Sequence, residues 1–253
     1  MTDALGKETA MAYDAEGNLL SLTDASGNVT GYSYDKLNRL TTENIMVAGQ
    51  ALSRSYRYDA ASNLIGKTDR NGRTQTFIYD ALNRQTQEQW LNEQLNPLRT
   101  IAYSYDAASQ ITGVSDPDST YAYSYDAAGR LTSVDNSGTA GTPPVRLSYG
   151  YDAVNNRTSV TDYITGIQHG VETFDYDGLN RVTRVTQQGN GVAQKRVDMT
   201  YDAASQMTGV KRYSNLAGTQ PVADTTYAHD AAGRLTALTH AKNGQGSKMP
   251  DLG

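Results

Sequence analysis

Residues 125–134 read YDAAGRLTSV. Tyr, Thr and Val favour a pleated strand, whereas Asp, Ala and Gly in succession favour a tight turn, so these ten residues describe strand, turn and strand. The same Tyr-Asp pair recurs along the chain, with Asp at Asp14, Asp35, Asp59, Asp80, Asp106, Asp126, Asp152, Asp177 and Asp202. A tenth copy, at Asp230, has His229 in place of Tyr. Successive Asp residues stand 21, 24, 21, 26, 20, 26, 25, 25 and 28 apart. A fixed core with variable spacing implies one constant hairpin joined by connections of different length.

Counting from each Asp shows what the core demands. Three residues on stand Gly17, Asn38, Ser62, Asn83, Ser109, Gly129, Asn155, Asn180, Ser205 and Gly233. Seven of these ten are Gly or Asn, the residues that enter the left-handed region most cheaply. The pattern predicts a type I turn followed by one left-handed residue, the usual three-residue hairpin loop. Asp at the head of such a turn can accept bonds from amides further along, which gives all ten Asp residues a structural role.

The flanks carry the strands. The residue before Asp is Tyr13, Tyr34, Tyr58, Tyr79, Tyr105, Tyr125, Tyr151, Tyr176 or Tyr201 in nine copies, and an aromatic or Met stands two residues earlier in every copy. A spacing of two puts both on one face. The fifth residue after Asp is apolar in eight copies, among them Leu19, Leu40, Ile111, Leu131 and Leu235, and is expected opposite the Tyr. The sixth is Thr in eight copies and is expected to face the other side. The eighth is apolar in seven, including Val114, Val134, Val160 and Val185. It shares a face with the fifth only if a bulge intervenes, placed here at the seventh position, where Gly66, Gly113 and Gly209 sit.

A second turn recurs at Asp24 and Asp69, each with a Gly three residues on and a Tyr-Asp eleven residues on. The segment from Thr2 matches this half-repeat, LTHAKNGQGS begins it again, and SKMPDLG matches nothing. The expected organisation is a hairpin array over residues 1–240, about ten repeats, with an incomplete repeat and a flexible tail over 241–253. The segment is expected to be a piece of a longer array.

Composition excludes several classes. The chain has 253 residues and a net charge of -5, without the basic face that nucleic acid requires. With no Cys, thiolate chemistry and a disulfide framework are absent. No apolar run is long enough to span a membrane, and the first residues lack the basic start and apolar core of a signal peptide. There is no GxSxG elbow, no phosphate-binding glycine loop and no calcium-binding nonapeptide.

At YDAAGRLTSV and at YDKLNRLT (residues 34–41) the pattern resembles the Rhs/YD-repeat family, which includes bacterial polymorphic toxins, toxin-complex cocoons and animal teneurins. The resemblance covers roughly residues 2 to 240. It implies an all-β fold in which tandem hairpins form one long curved sheet, a partial spiral or shell wall. It also implies a role as part of the shell around a toxin or cargo domain, in an exported protein that is extracellular or at the cell surface. Partners are then the remainder of the parent chain and its cargo, with self-association through unpaired edge strands as a further expectation. Asp116-Pro117-Asp118 lacks the Gly and the Tyr–Asn–Pro stretch of the family's closing segment, so self-cleavage is not carried over to it. Twenty strands at ~4.8 Å each make a strip on the order of 100 Å wide, enough for a wall but not for a container around a 100-residue cargo with a radius of gyration of about 13 Å.

Ten Asp residues suggest metal binding or carboxylate catalysis, but a row of turn caps explains them all, and no cofactor, metal or catalytic residue is expected. The Arg residues four after Asp, at Arg39, Arg84, Arg130, Arg181 and Arg234, sit across the turn from it. His169, His229 and His240 are too scattered for a zinc site. The rival to the shell is an extracellular adhesion or carbohydrate-binding module, in which exposed Tyr rows stack on sugar rings. Trp90, read as lying in a long connection, is the leading exposed aromatic contact.

Overall fold

The computed structural model describes residues 8–47, 49–242 and 245–248, the last four as backbone. Residues 2–7 of the half-repeat expected from Thr2, and residues 243–244 and 249–253 of the tail expected over 241–253, lie outside the described residues. The chain divides into two compact units, Met1–Asp118 and Ser119–Gly253.

The first unit holds β1 (Ala10–Tyr13), β2 (Leu19–Thr23), β3 (Val29–Tyr34), β4 (Leu40–Val47), β5 (Gln50–Tyr58), β6 (Leu64–Thr68), β7 (Thr74–Tyr79), β8 (Gln85–Leu91), β9 (Pro97–Tyr105) and β10 (Ile111–Ser115). The second holds β11 (Thr120–Tyr125), β12 (Leu131–Asp135), β13 (Val145–Tyr151), β14 (Arg157–Ile164), β15 (Ile167–Tyr176), β16 (Val182–Gly189), β17 (Val192–Tyr201), β18 (Met207–Tyr213), β19 (Pro221–His229), β20 (Leu235–Lys242) and β21 (Gln245–Lys248). Among the described residues there is no helix. Within each unit every strand pairs antiparallel with the strand next in sequence, so each unit is a meander of hairpins. The Tyr-Asp turns line one rim of each unit and the variable connections line the opposite rim.

The register is the same in all ten Tyr-Asp hairpins. In β11–β12, Tyr125 faces Leu131, Ser124 faces Ser133 and Tyr123 faces Val134. Thr132 is therefore the extra residue of a bulge, and the equivalent shift recurs in every copy. The bulge exists, but at the sixth position after Asp and not at the seventh. In four copies its side chain braces the bulge: Oγ1 of Thr41, Thr86, Thr183 and Thr236 donates to the carbonyls of Ser33, Ile78, Asp175 and Ala228 at 3.1, 3.2, 3.3 and 3.1 Å, whereas Leu20 and Ile65 take the same place without a hydroxyl. Gly66 and Gly209, at the seventh position, lie beside side chains of the paired strand. A Cβ on Gly66 would come within 2.7 Å of the Arg57 guanidinium, and one on Gly209 within 2.9 Å of Thr200 Oγ1. The bulge returns the eighth residue to the face of the Tyr and the fifth residue, which gives each hairpin one apolar side.

That side differs between the units. In the second, the eighth position carries Val134, Val160, Val185, Val210 and Leu238. In the first it includes Glu43, Lys67 and Glu88, and Glu43 takes Arg54 at 3.3 Å and Arg70 as ion-pair partners. Burial is shallow throughout. Among the described residues the buried apolar side chains are Val210 and Ala223, with Thr225 the buried polar one. A sheet one layer thick cannot enclose a core, so neighbouring hairpins supply its stability.

Candidate functional site: the row of Tyr-Asp turns

Each turn is built the same way. The Asp amide donates to the carbonyl four residues on, and the amide of the third residue donates back to the Asp carbonyl, in all ten copies. The third residue has positive φ throughout, from 59° at Asn38 to 88° at Gly17. This includes Ser62, Ser109 and Ser205, a residue type that visits this region at a cost. The carboxylate folds back over its own turn. In the second copy, Asp35 Oδ1 accepts the amides of Leu37 and Arg39 at 2.9 and 3.1 Å, and Oδ2 accepts Arg39 Nε at 2.7 Å. Where the fourth residue is Asn, its Nδ2 takes the place of the guanidinium, as with Asn18, Asn63 and Asn156 at 2.9 Å each.

These bonds set the ionisation. The Arg39 side chain, then the turn amides, hold Asp35 below the ordinary carboxylate range, and Arg181 does the same for Asp177. For Asp80, Asp126 and Asp230 the backbone amide of the fourth residue is the leading cause. Asp14 and Asp59 are lowered chiefly by the Asn18 and Asn63 side chains. Carboxylates held ionised and turned into their own loops are placed as caps. Among the described residues no three His, Cys, Asp or Glu side chains gather where they could hold a metal ion.

The same groups join one hairpin to the next. Arg39 Nη1 reaches the carbonyl of Asp59 at 2.8 Å and Ser62 Oγ at 3.1 Å, and its guanidinium lies 4.8 Å from the centre of the Tyr58 ring. Arg84, Arg130 and Arg181 repeat this on Asp106, Asp152 and Asp202, over the rings of Tyr105, Tyr151 and Tyr201. Asn18, Asn63 and Asn156 instead reach Oδ1 of Asn38, Asn83 and Asn180, at 2.9 Å each. The fourth residue is an amide and an Arg by turns along the whole chain. The repeat Tyr closes the joint from below. The hydroxyls of Tyr34, Tyr79, Tyr105, Tyr151, Tyr176 and Tyr201 donate to the fifth-position carbonyls of the preceding hairpins at 2.6–3.0 Å.

A family model described as RHS Repeat matches residues 13–44, 52–89, 105–142 and 125–162, more than half of the chain. The chain belongs to the RHS repeat family. Its fold is similar to that of TcdB2–TccC3 without the hypervariable C-terminal region, with a TM-score of 0.55 and 14% identity over 92% of this chain and 15% of that one. A variant Tc holotoxin pore from Photorhabdus luminescens is similar at a TM-score of 0.55 and 15% identity, with the same coverage of each chain. This RHS repeat segment thus spans about 15% of the length of the solved chains it resembles. At these identities the likeness is one of fold. No curated protein matches the sequence significantly.

One residue lies elsewhere than the sequence placed it. Trp90 is not in a connection: it sits in β8, opposite Gln75 and Arg99, because pairing with β7 and β9 on both sides carries the strand to Leu91. Its ring is 46% exposed, and its Nε1 donates to Glu88 Oε1 at 2.6 Å. Of the three His residues, His240 accompanies Thr225 at 3.1 Å, His169 stands 3.2 Å from Asp162, and His229 occupies a repeat Tyr site. No helix among the described residues is long and apolar enough to cross a membrane.

Proposed function

We propose that this chain is a stretch of β wall in a larger exported RHS-type protein, that the wall surrounds a toxin or other cargo domain before delivery, and that the chain carries out no catalysis of its own. The observation that supports this reading most is the use of the turn groups. The Asp carboxylates, the Arg and Asn side chains at the turns and most of the repeat Tyr hydroxyls bond within a hairpin or to the next one, as a load-transmitting wall requires. The repeat Asp and Tyr residues are structural in this reading, the array runs over residues 1–240, and its partners are the rest of the parent chain and the cargo. The test is made in the parent protein. Limited proteolysis should spare the cargo domain in the intact protein and cleave it after deletion of two hairpins from this segment. Equal cleavage in both would overturn the enclosing role.

A second reading, an extracellular glycan-binding module, is favoured by the surroundings of Trp90. Its exposed ring borders a groove of about 350 Å³ that is also lined by Lys67, Asp69, Arg73, Gln75 and Leu98. An aromatic face beside amide, carboxylate and guanidinium groups is the chemistry that holds a sugar ring. Retention of the chain on a glycan array, lost on Trp90→Ala, would support this module; the absence of any retained glycan would remove it.

A further inference from the structure

We propose that an Asn or Arg four residues after Asp and the third residue after the next Asp form a length-matched lock, and that this lock selects which hairpin can lie beside which. The proposal holds whatever the wall encloses. Eight joints between neighbouring turns lie inside the two units. Three are Asn facing Asn, three are Arg facing Ser, one is Arg facing Asn, and one is Gln206 facing Gly233. Of the four pairings of an Asn or Arg donor with an Asn or Ser acceptor, the one missing is Asn facing Ser, and reach explains why.

An Asn donor is short. Its Nδ2 meets Asn83 Oδ1 at 2.9 Å only because that acceptor extends from a second carboxamide. Ser ends one bond of about 1.2 Å nearer the backbone, which carries the contact beyond hydrogen-bonding distance. An Arg donor is long and brings several N–H groups. It meets Ser62, Ser109 and Ser205 Oγ at 3.1, 3.3 and 3.1 Å, and Asn155 Oδ1 at 2.9 Å. The left-handed position therefore has two tasks. Its backbone makes the turn, for which Gly or Asn is best, and its side chain answers the preceding hairpin. Ser stands there only in answer to an Arg.

The space between turns follows the same division. Grooves of about 580 and 510 Å³ open at two of the Asn–Asn joints, beside Asn18–Asn38 and Asn156–Asn180. At the Arg joints the guanidinium lies in that space, over the Tyr ring.

The test uses the whole chain and one exchange made in two settings. Asn83→Ser removes the acceptor that Asn63 needs, whereas Asn155→Ser makes the same change opposite Arg130. Both place Ser at positive φ, so the intrinsic backbone cost cancels in the comparison. Asn83→Ser should lower the thermal midpoint by about 2–4 °C more than Asn155→Ser does. Adding Asn63→Arg to Asn83→Ser should bring the midpoint back to the Asn155→Ser level. Equal losses in the two settings, or a double variant no better than Asn83→Ser alone, would overturn the lock. Should Asn83→Ser fail to fold, Arg39→Asn opposite Ser62, with rescue by Ser62→Asn, reads the same rule from the other side.

Discussion

Replacing Tyr151 by Phe removes one oxygen from the joint between two hairpins. That hydroxyl donates to the Leu131 carbonyl at 2.9 Å. The β12–β13 ladder runs from Ser133–Ser148 to Asp135–Arg146, so the carbonyl lies beyond its end and has the Tyr as partner. A neutral hydrogen bond contributes about 0.5–1.5 kcal/mol net, and the stranded carbonyl lies near enough to the rim to take up water, which places the loss at about 1 kcal/mol. The ring remains, and with it the Arg130 guanidinium 4.8 Å from its centre. Tyr151→Ala removes both ring and stacking and should cost about 2–4 kcal/mol, below the full-burial range because the side chain is only half-buried. Urea titration followed by circular dichroism reads both, as a shift in midpoint at constant slope. A Phe variant equal to the parent would refute the hydroxyl staple. A Phe variant as damaged as the Ala variant would refute the claim that the ring carries the larger share.

Four further outcomes follow from the same geometry. Thr183→Val keeps the shape of the bulge residue but loses its bond to the Asp175 carbonyl, and the urea midpoint should fall by the equivalent of about 0.5–1 kcal/mol; an unchanged midpoint would mean that the bulge does not depend on the hydroxyl. His229 stands where nine copies have Tyr, with Nδ1 buried and without a hydrogen-bond partner. His229→Tyr should raise stability by about 1 kcal/mol, seen as a higher melting temperature. Leu95 is 65% exposed at a φ of 62°, so Leu95→Gly relieves backbone strain of about 1–2 kcal/mol against a smaller entropic loss, and calorimetry should show a net gain. For acid, Asp35 and Asp177 titrate below their unfolded range because of Arg39 and Arg181. The unfolded chain then takes up protons first, so this stability is complete above about pH 4 and is lost as pH falls further. A midpoint that rises on acidification from pH 5 to 3 would contradict this.

The sequence carried the hairpin because each of its demands is local. Asp, a left-handed residue three on and an aromatic just before fall within one turn, and their spacing alone orders them. The apolar eighth residue signalled a bulge for the same reason, but its place at the sixth position is a matter of cross-strand register, which Leu20 and Ile65 share with the eight Thr copies. What the sequence could not show is what joins hairpins. Ser62 is a poor left-handed residue by itself, and its reason for being there is Arg39, 23 residues earlier. Trp90 was misplaced because Gln, Glu and Asn around it read as loop, whereas its strand is held by pairing with β7 and β9 on both sides.

The alternation of Arg and amide along the rim bears on how such a chain changes length over evolutionary time. Loss of the hairpin at Asp35 alone would set Asn18 before Ser62, a mismatch; loss of that hairpin together with the one at Asp59 would set Asn18 before Asn83, a match already present in the chain. After an Asn, recombination between distant copies is therefore tolerated best when it removes two hairpins at once, whereas an Arg, which also meets Asn, admits the loss of one, as at Asp59 or Asp152. Where an Asn leads, the unit that the lock releases is the pair, 45 residues long between Asp14 and Asp59, and the hairpin that the eye picks out is half of it.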